Sequence, residues 1–156
     1  MNSPNAAGTG ANVSGPAAGL QVVLVDDSAP ICERLAASVS AVKGVAAIRQ
    51  AGDVPSGLRL LEERATDVLI LDIELPGQSG LDLLQIARKK NAALVIIMLS
   101  IFNYPKLRQR CADLGADFYF HKVTEFEQVA EVCRKLAQYP TLRASSFPPY
   151  NMGVGL

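Results

Sequence analysis

Histidine is almost missing from this sequence, His121 being the only one among 156 residues. A metal site built on several imidazoles is therefore excluded within the chain, and so is an internal histidine phosphotransfer module. Cysteine is scarce too. Cys32, Cys111 and Cys133 form no CxxC pair and have no neighbouring histidine to complete a zinc spacing, so they read as reduced thiols that pack as small hydrophobes. Neither charge is in excess. With 15 basic and 15 acidic side chains, nothing in the total charge draws the chain to nucleic acid or to an anionic membrane, and any partner must be recognised locally. Long apolar runs are missing as well: the longest, Ala92 to Leu99, is eight residues, against the roughly 20 needed to cross a bilayer. The first twenty residues contain no Lys or Arg ahead of an apolar block, which speaks against a secretory signal. They predict a poorly ordered tail over 1–20 and, by default, a cytoplasmic protein.

What the chain does contain is an alternation of short apolar runs with longer amphipathic stretches, the pattern of an α/β fold with a parallel sheet. Strands are expected at Val22–Val25, Ala46–Gln50, Val68–Leu71, Leu94–Leu99 and Asp117–Phe120. VVLV, VLIL and LVIIML are continuously apolar, as strands covered by helices on both faces should be. Helices are expected over Pro30–Val42, Pro55–Arg64, Leu81–Lys89, Pro105–Leu114 and Glu125–Gln138. Ile31, Leu35, Val39 and Val42 share one helical face in the first, and Phe126, Val129, Val132, Cys133 and Leu136 do so in the last. Gly44, Gly80 and Gly115 fall at element boundaries. Crossover helices between parallel strands give a three-layer, doubly wound domain over 21–138. Periodicity leaves the strand order open. Residues 139–156, with three prolines and no period, read as a flexible tail or docking strap.

Open α/β sheets place ligand sites beyond the carboxyl ends of their strands. Here the first strand ends in Asp26 and Asp27, the third in Asp72 and the fourth in Ser100, while His121 and Lys122 follow the fifth. Three carboxylates gathered on one edge repel one another unless a cation sits among them. With no sulfur or imidazole set available, a hard ion such as Mg²⁺ suits them, and it leaves positions open for phosphate oxygens. An aspartate beside such an ion is a nucleophile toward a phosphoryl donor. Charge on the transferring group can then be shared among the metal, Lys122 and Ser100. Each piece also has an ordinary reading: Asp26 and Asp27 at a helix N-terminus, worth about 0.3–1 kcal/mol there, Asp72 and Glu74 as loop acids, Ser100 as a turn former, Lys122 as a solvated charge. Their joint placement at the ends of four strands favours the chemical one.

In this arrangement the chain resembles the receiver domain of response regulators, the chemotaxis-type fold. The resemblance covers Gln21 to Gln138 and rests on the strand ending in Asp26 and Asp27, the block LILDIELPGQSGLDLL, IIMLS ending in Ser100, and GADFYFHK ending in Lys122. It implies a flavodoxin-like five-stranded sheet in the order 2-1-3-4-5, with two helices on one face and three on the other. It implies Asp72 as phosphoacceptor, Asp26 and Asp27 as metal-binding acids, and the Glu74 carbonyl as a further ligand. Ser100 and Lys122 match the phosphoryl-contacting pair, and Tyr119 the aromatic switch. Phosphorylation at Asp72 would draw Ser100 toward it, and the Tyr119 ring would enter the space left, changing the surface near the fourth helix and fifth strand. Tyr119 also fits as a plain core aromatic between Phe118 and Phe120. The implied donor is a sensor histidine kinase or histidine phosphotransfer protein, and the implied output a contact with a downstream protein target, with no nucleic acid and no membrane.

Two positions depart from the family pattern. Val123 stands where proline usually follows the lysine, so no cis peptide is expected there. Ile101 stands where a small residue is common, and it predicts slow autophosphorylation from acetyl phosphate and a long-lived phosphoform. The expectation is a stand-alone response regulator that catalyses only its own phosphorylation and dephosphorylation. The alternative is a non-phosphorylated pseudo-receiver acting as a constitutive interaction module, to which Ile101 and Val123 lend support. A haloacid-dehalogenase-type phosphatase fits less well: Glu74 occupies the second-acid offset, but Asp72 is on the third strand and no following Thr is present. Nucleotide binding finds neither GxGxxG nor GxxxxGK[ST].

Overall fold

The computed structural model describes residues 19–139. Within them five strands and five helices alternate: β1 Leu20–Val25, α1 Ala29–Ser40, β2 Val45–Ala51, α2 Val54–Glu63, β3 Val68–Asp72, α3 Gly80–Lys90, β4 Val95–Ser100, α4 Pro105–Asp113, β5 Phe118–His121 and α5 Phe126–Gln138. The strands form one parallel sheet in the order β2-β1-β3-β4-β5. Every expected element is present, with ends that shift by one or two residues. Leu20, assigned to the tail by its sequence context, is the first residue of β1 and is 2% exposed, because its N–H bonds the Gly44 carbonyl (2.8 Å) at the turn into β2. The remaining tail residues, 1–18 and 140–156, lie outside the described residues.

Alternation along the strands sorts the core into two halves. Val22, Leu24, Val68, Ile70, Ile97 and Phe118 pack with α1 and α5 through residues such as Leu35, Val39, Val129 and Cys133. Val23, Val25, Leu69, Leu71, Met98 and Tyr119 face the opposite way, toward Val54, Leu83, Leu84 and Cys111 of α2, α3 and α4. The central strands are buried on both sides, which is why their sequences are apolar without alternation.

Prolines at the first turns of α1, α2 and α4 cost no hydrogen bond, since those N–H groups have no partner within the helix. Asp53 and Ser79 cap α2 and α3, accepting from the backbone N–H of Ser56 (2.8 Å) and Leu81 (3.1 Å). Gly44 and Gly115 carry positive φ at helix ends as expected, whereas Gly80 does not. Its need for a bare Cα has another cause, given below. No helix among the described residues is long and apolar enough to cross a membrane. The three cysteines are free and buried.

Candidate functional site

The sheet register brings the acids together. Val25 of β1 pairs with Leu71 of β3, so Asp26 and Asp72 are the next residues on two adjacent strands. Asp26 is 2% and Asp72 1% exposed, while Asp27 faces solvent. One oxygen from each of Asp26, Asp27 and Asp72 falls within 4.8 Å of the others. Asp26 Oδ1 accepts from the Ser28 N–H (2.8 Å). Its Oδ2 is fully buried and faces Lys122 Nζ at 2.9 Å. Three carboxylates this close, with one ammonium to offset them, fit a hard divalent cation. An open cleft of about 420 Å³ between α1 and the end of β2 leads to Asp26 and Asp27. A second cavity, about 260 Å³, opens at the far edge of the sheet between Leu58, Leu61, Ala87 and Leu94, away from all of this chemistry.

Lys122 reaches the site from the turn after β5. Its Nζ donates to Asp72 Oδ2 at 2.9 Å. Burial pushes the Asp72 carboxyl up to about 6, and Asp26 adds to the rise, while Lys122 and the Glu74 N–H, 3.2 Å from Asp72 Oδ1, oppose it. Burial alone would lower Lys122, but its contacts with Asp72 and Asp26 outweigh that and hold it above the ordinary lysine value. Glu74 is exposed as a residue, yet partial desolvation of its carboxyl raises its pKa against the pull of Lys122.

Gly80 explains how α3 starts beside Asp72. Its N–H donates to the Ile73 carbonyl (2.8 Å), and any Cβ on it would overlap the Asp72 carbonyl oxygen. Ser100, fully buried at the end of β4, accepts from the Phe102 N–H through its hydroxyl (3.0 Å). Tyr119 is fully buried as well, and its hydroxyl donates to the Phe102 carbonyl (2.7 Å).

Acids on β1 and β3, a hydroxyl on β4 and an ammonium after β5 thus meet at one edge of a 2-1-3-4-5 sheet, and the model of the response regulator receiver domain matches residues 22–134. The chain belongs to that family. It is the receiver domain of a two-component response regulator. Among curated proteins the receiver is 30% identical over 131 residues to the transcriptional regulatory protein MalR of Bacillus subtilis, covering 81% of this chain and 56% of that one. It is 28% identical over 119 residues to the probable C4-dicarboxylate response regulator DctR of the same organism, covering 76% and 53%. The chain therefore spans about half the length of these relatives. Among solved structures it superposes on the Francisella response regulator 1452 receiver domain with a TM-score of 0.70 at 23% identity, covering 79% of this chain and 100% of that one. Receiver domains are signalling modules that bind Mg²⁺ at an acidic pocket and interact with histidine kinases or other phosphodonors.

The receiver's β5–α5 turn, with Val123 after Lys122, is held by hydrogen bonds to the side chains of His121 and Glu125. No cis peptide occurs among the described residues. His121 Nδ1 accepts from the N–H groups of Val123 (3.1 Å) and Thr124 (3.2 Å), and Glu125 Oε1 accepts from the His121 N–H (2.8 Å). Ile101 is 53% exposed and Val123 62%, on the two loops that flank the site. Sequence reasoning overlooked Arg108. This arginine of α4 is 4% exposed and lies under Tyr119, and the available signal was a charged residue three positions before Cys111 on the inward row of a helix.

Proposed function

We propose that the receiver takes a phosphoryl group from a phosphohistidine donor onto Asp72. An Asp72 carboxylate oxygen bonds to phosphorus as the phosphorus–nitrogen bond breaks, and the electron pair leaves with the donor imidazole. The reading is carried by one observation: carboxylate oxygens of Asp26, Asp27 and Asp72 lie within 4.8 Å of one another, with one ammonium, Lys122, 2.9 Å from both Asp26 Oδ2 and Asp72 Oδ2. Asp26, Asp27, Asp72 and the Glu74 carbonyl would hold Mg²⁺, which supplies positive charge against the phosphoryl oxygens. Lys122 adds a fixed ammonium within 2.9 Å of Asp72, and Ser100 offers a hydroxyl once it releases the Phe102 N–H. The carboxylate is largely ionised at neutral pH even with its pKa raised to about 6.

The receiver is proposed to act in the cytoplasm, where its three unpaired thiols would stay reduced. Its output is proposed to be contact with a protein target, favoured by a population shift between two packings around Ser100 and Tyr119. Apart from its own phosphorylation and dephosphorylation, no turnover is assigned to it. The test is an amide spectrum with Mg²⁺ and beryllofluoride, which mimics the bound phosphoryl group, for the native chain and for Asp72→Asn. Shifts around Asp26, Asp72, Ser100 and Lys122 in the native chain alone support the proposal. Spectra unchanged in both proteins would reject it in favour of a constitutive interaction module.

A further inference from the structure

Helix α4 docks on the sheet in a way its neighbours do not. Helix α3 buries Leu83, Leu84 and Ala87, and α5 buries Val129, Val132, Cys133 and Leu136. The buried residues of α4 are Arg108 and Cys111. An arginine in the inward row gives α4 little apolar area to hold it, and leaves its attachment to directional bonds.

Those bonds join three separate elements. Arg108 Nε donates to Asn103 Oδ1 (2.8 Å) in the β4–α4 loop. One terminal nitrogen donates to the Tyr119 carbonyl (3.3 Å) on β5, and the other to Glu125 Oε1 (3.3 Å) at the start of α5. The guanidinium carbon sits 4.7 Å from the Tyr119 ring centroid, stacking on the aromatic face. Burial of a guanidinium is tolerated only when its donors are satisfied, and here each nitrogen has a different partner.

The same loop is fastened from its other side. Phe102 gives its N–H to Ser100 and accepts from the Tyr119 hydroxyl at its carbonyl. One residue on, Asn103 is held by Arg108. Tyr104 then caps α4 and stacks its exposed ring on Phe102, centroids 5.4 Å apart.

We propose that Arg108 is a positioning residue that makes Tyr119, the β4–α4 loop and the N-terminal end of α4 move as one unit. Resting on the phosphorylation reading above, this unit carries a change in the Ser100 hydroxyl bond outward to the exposed Phe102 and Tyr104 rings. Glu125 completes the clamp and ties it through the His121 N–H to the turn that carries Lys122. Planarity and the three-way fork are what the role requires, so lysine should not replace arginine.

The test compares the native chain with Arg108→Met, which preserves bulk, and Arg108→Lys, which preserves charge. Amide hydrogen exchange is read first, without beryllofluoride. Exchange at Phe102 and Leu107, whose N–H groups are bonded to Ser100 and Tyr104, and at Tyr119 is expected to quicken together by about tenfold or more in both variants, with β1 and β3 amides unchanged as the check on folding. Equal protection at Phe102 and Leu107 in native and Arg108→Lys chains would overturn the proposal, and would do so even if Arg108→Met failed to fold. Beryllofluoride with Mg²⁺ is added second. Shifts at Asp72 that persist in Arg108→Lys while those at Tyr104 and Leu107 disappear would support the coupling, and shifts transmitted to α4 unchanged would overturn it. A native chain blind to beryllofluoride would reject phosphorylation at Asp72 only, since loosening by Arg108→Lys stands as support for the clamp on the exchange data alone.

Discussion

Lys122 and Asp72, fifty positions apart in the chain, are joined by a buried 2.9 Å hydrogen bond at the end of the sheet. The same ammonium faces Asp26 Oδ2 at 2.9 Å, so one cation holds two buried acids side by side.

Removing that cation exposes the repulsion it masks. Lys122→Met is expected to lose about 3 kcal/mol at pH 7.5 without Mg²⁺, the usual scale for breaking a buried ion pair. The loss should shrink toward pH 5, where Asp72 takes up a proton, and Mg²⁺ should restore part of it. Urea unfolding at the two pH values, with and without Mg²⁺, measures this, and a pH-independent loss would count against it.

Asp72 also sets a pH dependence of its own. Its folded pKa, about 6, lies above its unfolded value of about 4. Between those values the folded state holds a proton that the unfolded state has released, so metal-free stability falls as pH rises from about 4 to about 6 and stays lower above. The deficit is on the order of 2–3 kcal/mol. Asp72→Asn should abolish this slope and raise the melting temperature in EDTA at pH 7.5, a result that thermal unfolding across the window would show.

Mg²⁺ binding should follow the same carboxylates. Titration calorimetry is expected to show affinity falling below pH 6 as protons compete for Asp72. Asp26→Asn should weaken binding by about tenfold or more, and unchanged affinity would remove Asp26 from the proposed ligands.

Two glycines near the site separate crowding from backbone strain. Gly80→Ala drives a methyl into the Asp72 carbonyl and should cost about 2–3 kcal/mol while disturbing Mg²⁺ binding. Gly77 has φ of +80° with nothing within 4 Å of an added Cβ, so Gly77→Ala should cost only about 1 kcal/mol and leave binding intact. Equal costs in denaturant melts would refute the distinction.

Ile101 offers a kinetic test. If its branched side chain hinders small donors and water at Asp72, Ile101→Ala should speed phosphorylation from acetyl phosphate, and loss of the phosphoryl group, by roughly tenfold, a barrier change of about 1.4 kcal/mol. Unchanged rates would leave Ile101 with no part in the chemistry.

Local pattern by itself determined the layer architecture, the ten elements and the polar residues at strand ends, because periodicity and a strand's terminal residue are both properties of neighbours in the chain. Resemblance supplied the order 2-1-3-4-5, which periodicity leaves open. Tertiary structure decided what depends on distance across the chain. Leu20 joined β1 because Gly44 stands opposite it, and Gly80 is required by the Asp72 carbonyl rather than by positive φ. The single cation between Asp26 and Asp72 exists only because adjacent strands end in register. Arg108 was illegible as a clamp for the same reason: its partners Asn103, Tyr119 and Glu125 lie on three elements. Only packing reveals that a charged side chain on an inward helical row has found a partner for each nitrogen, since desolvation and pairing are decided by the fold.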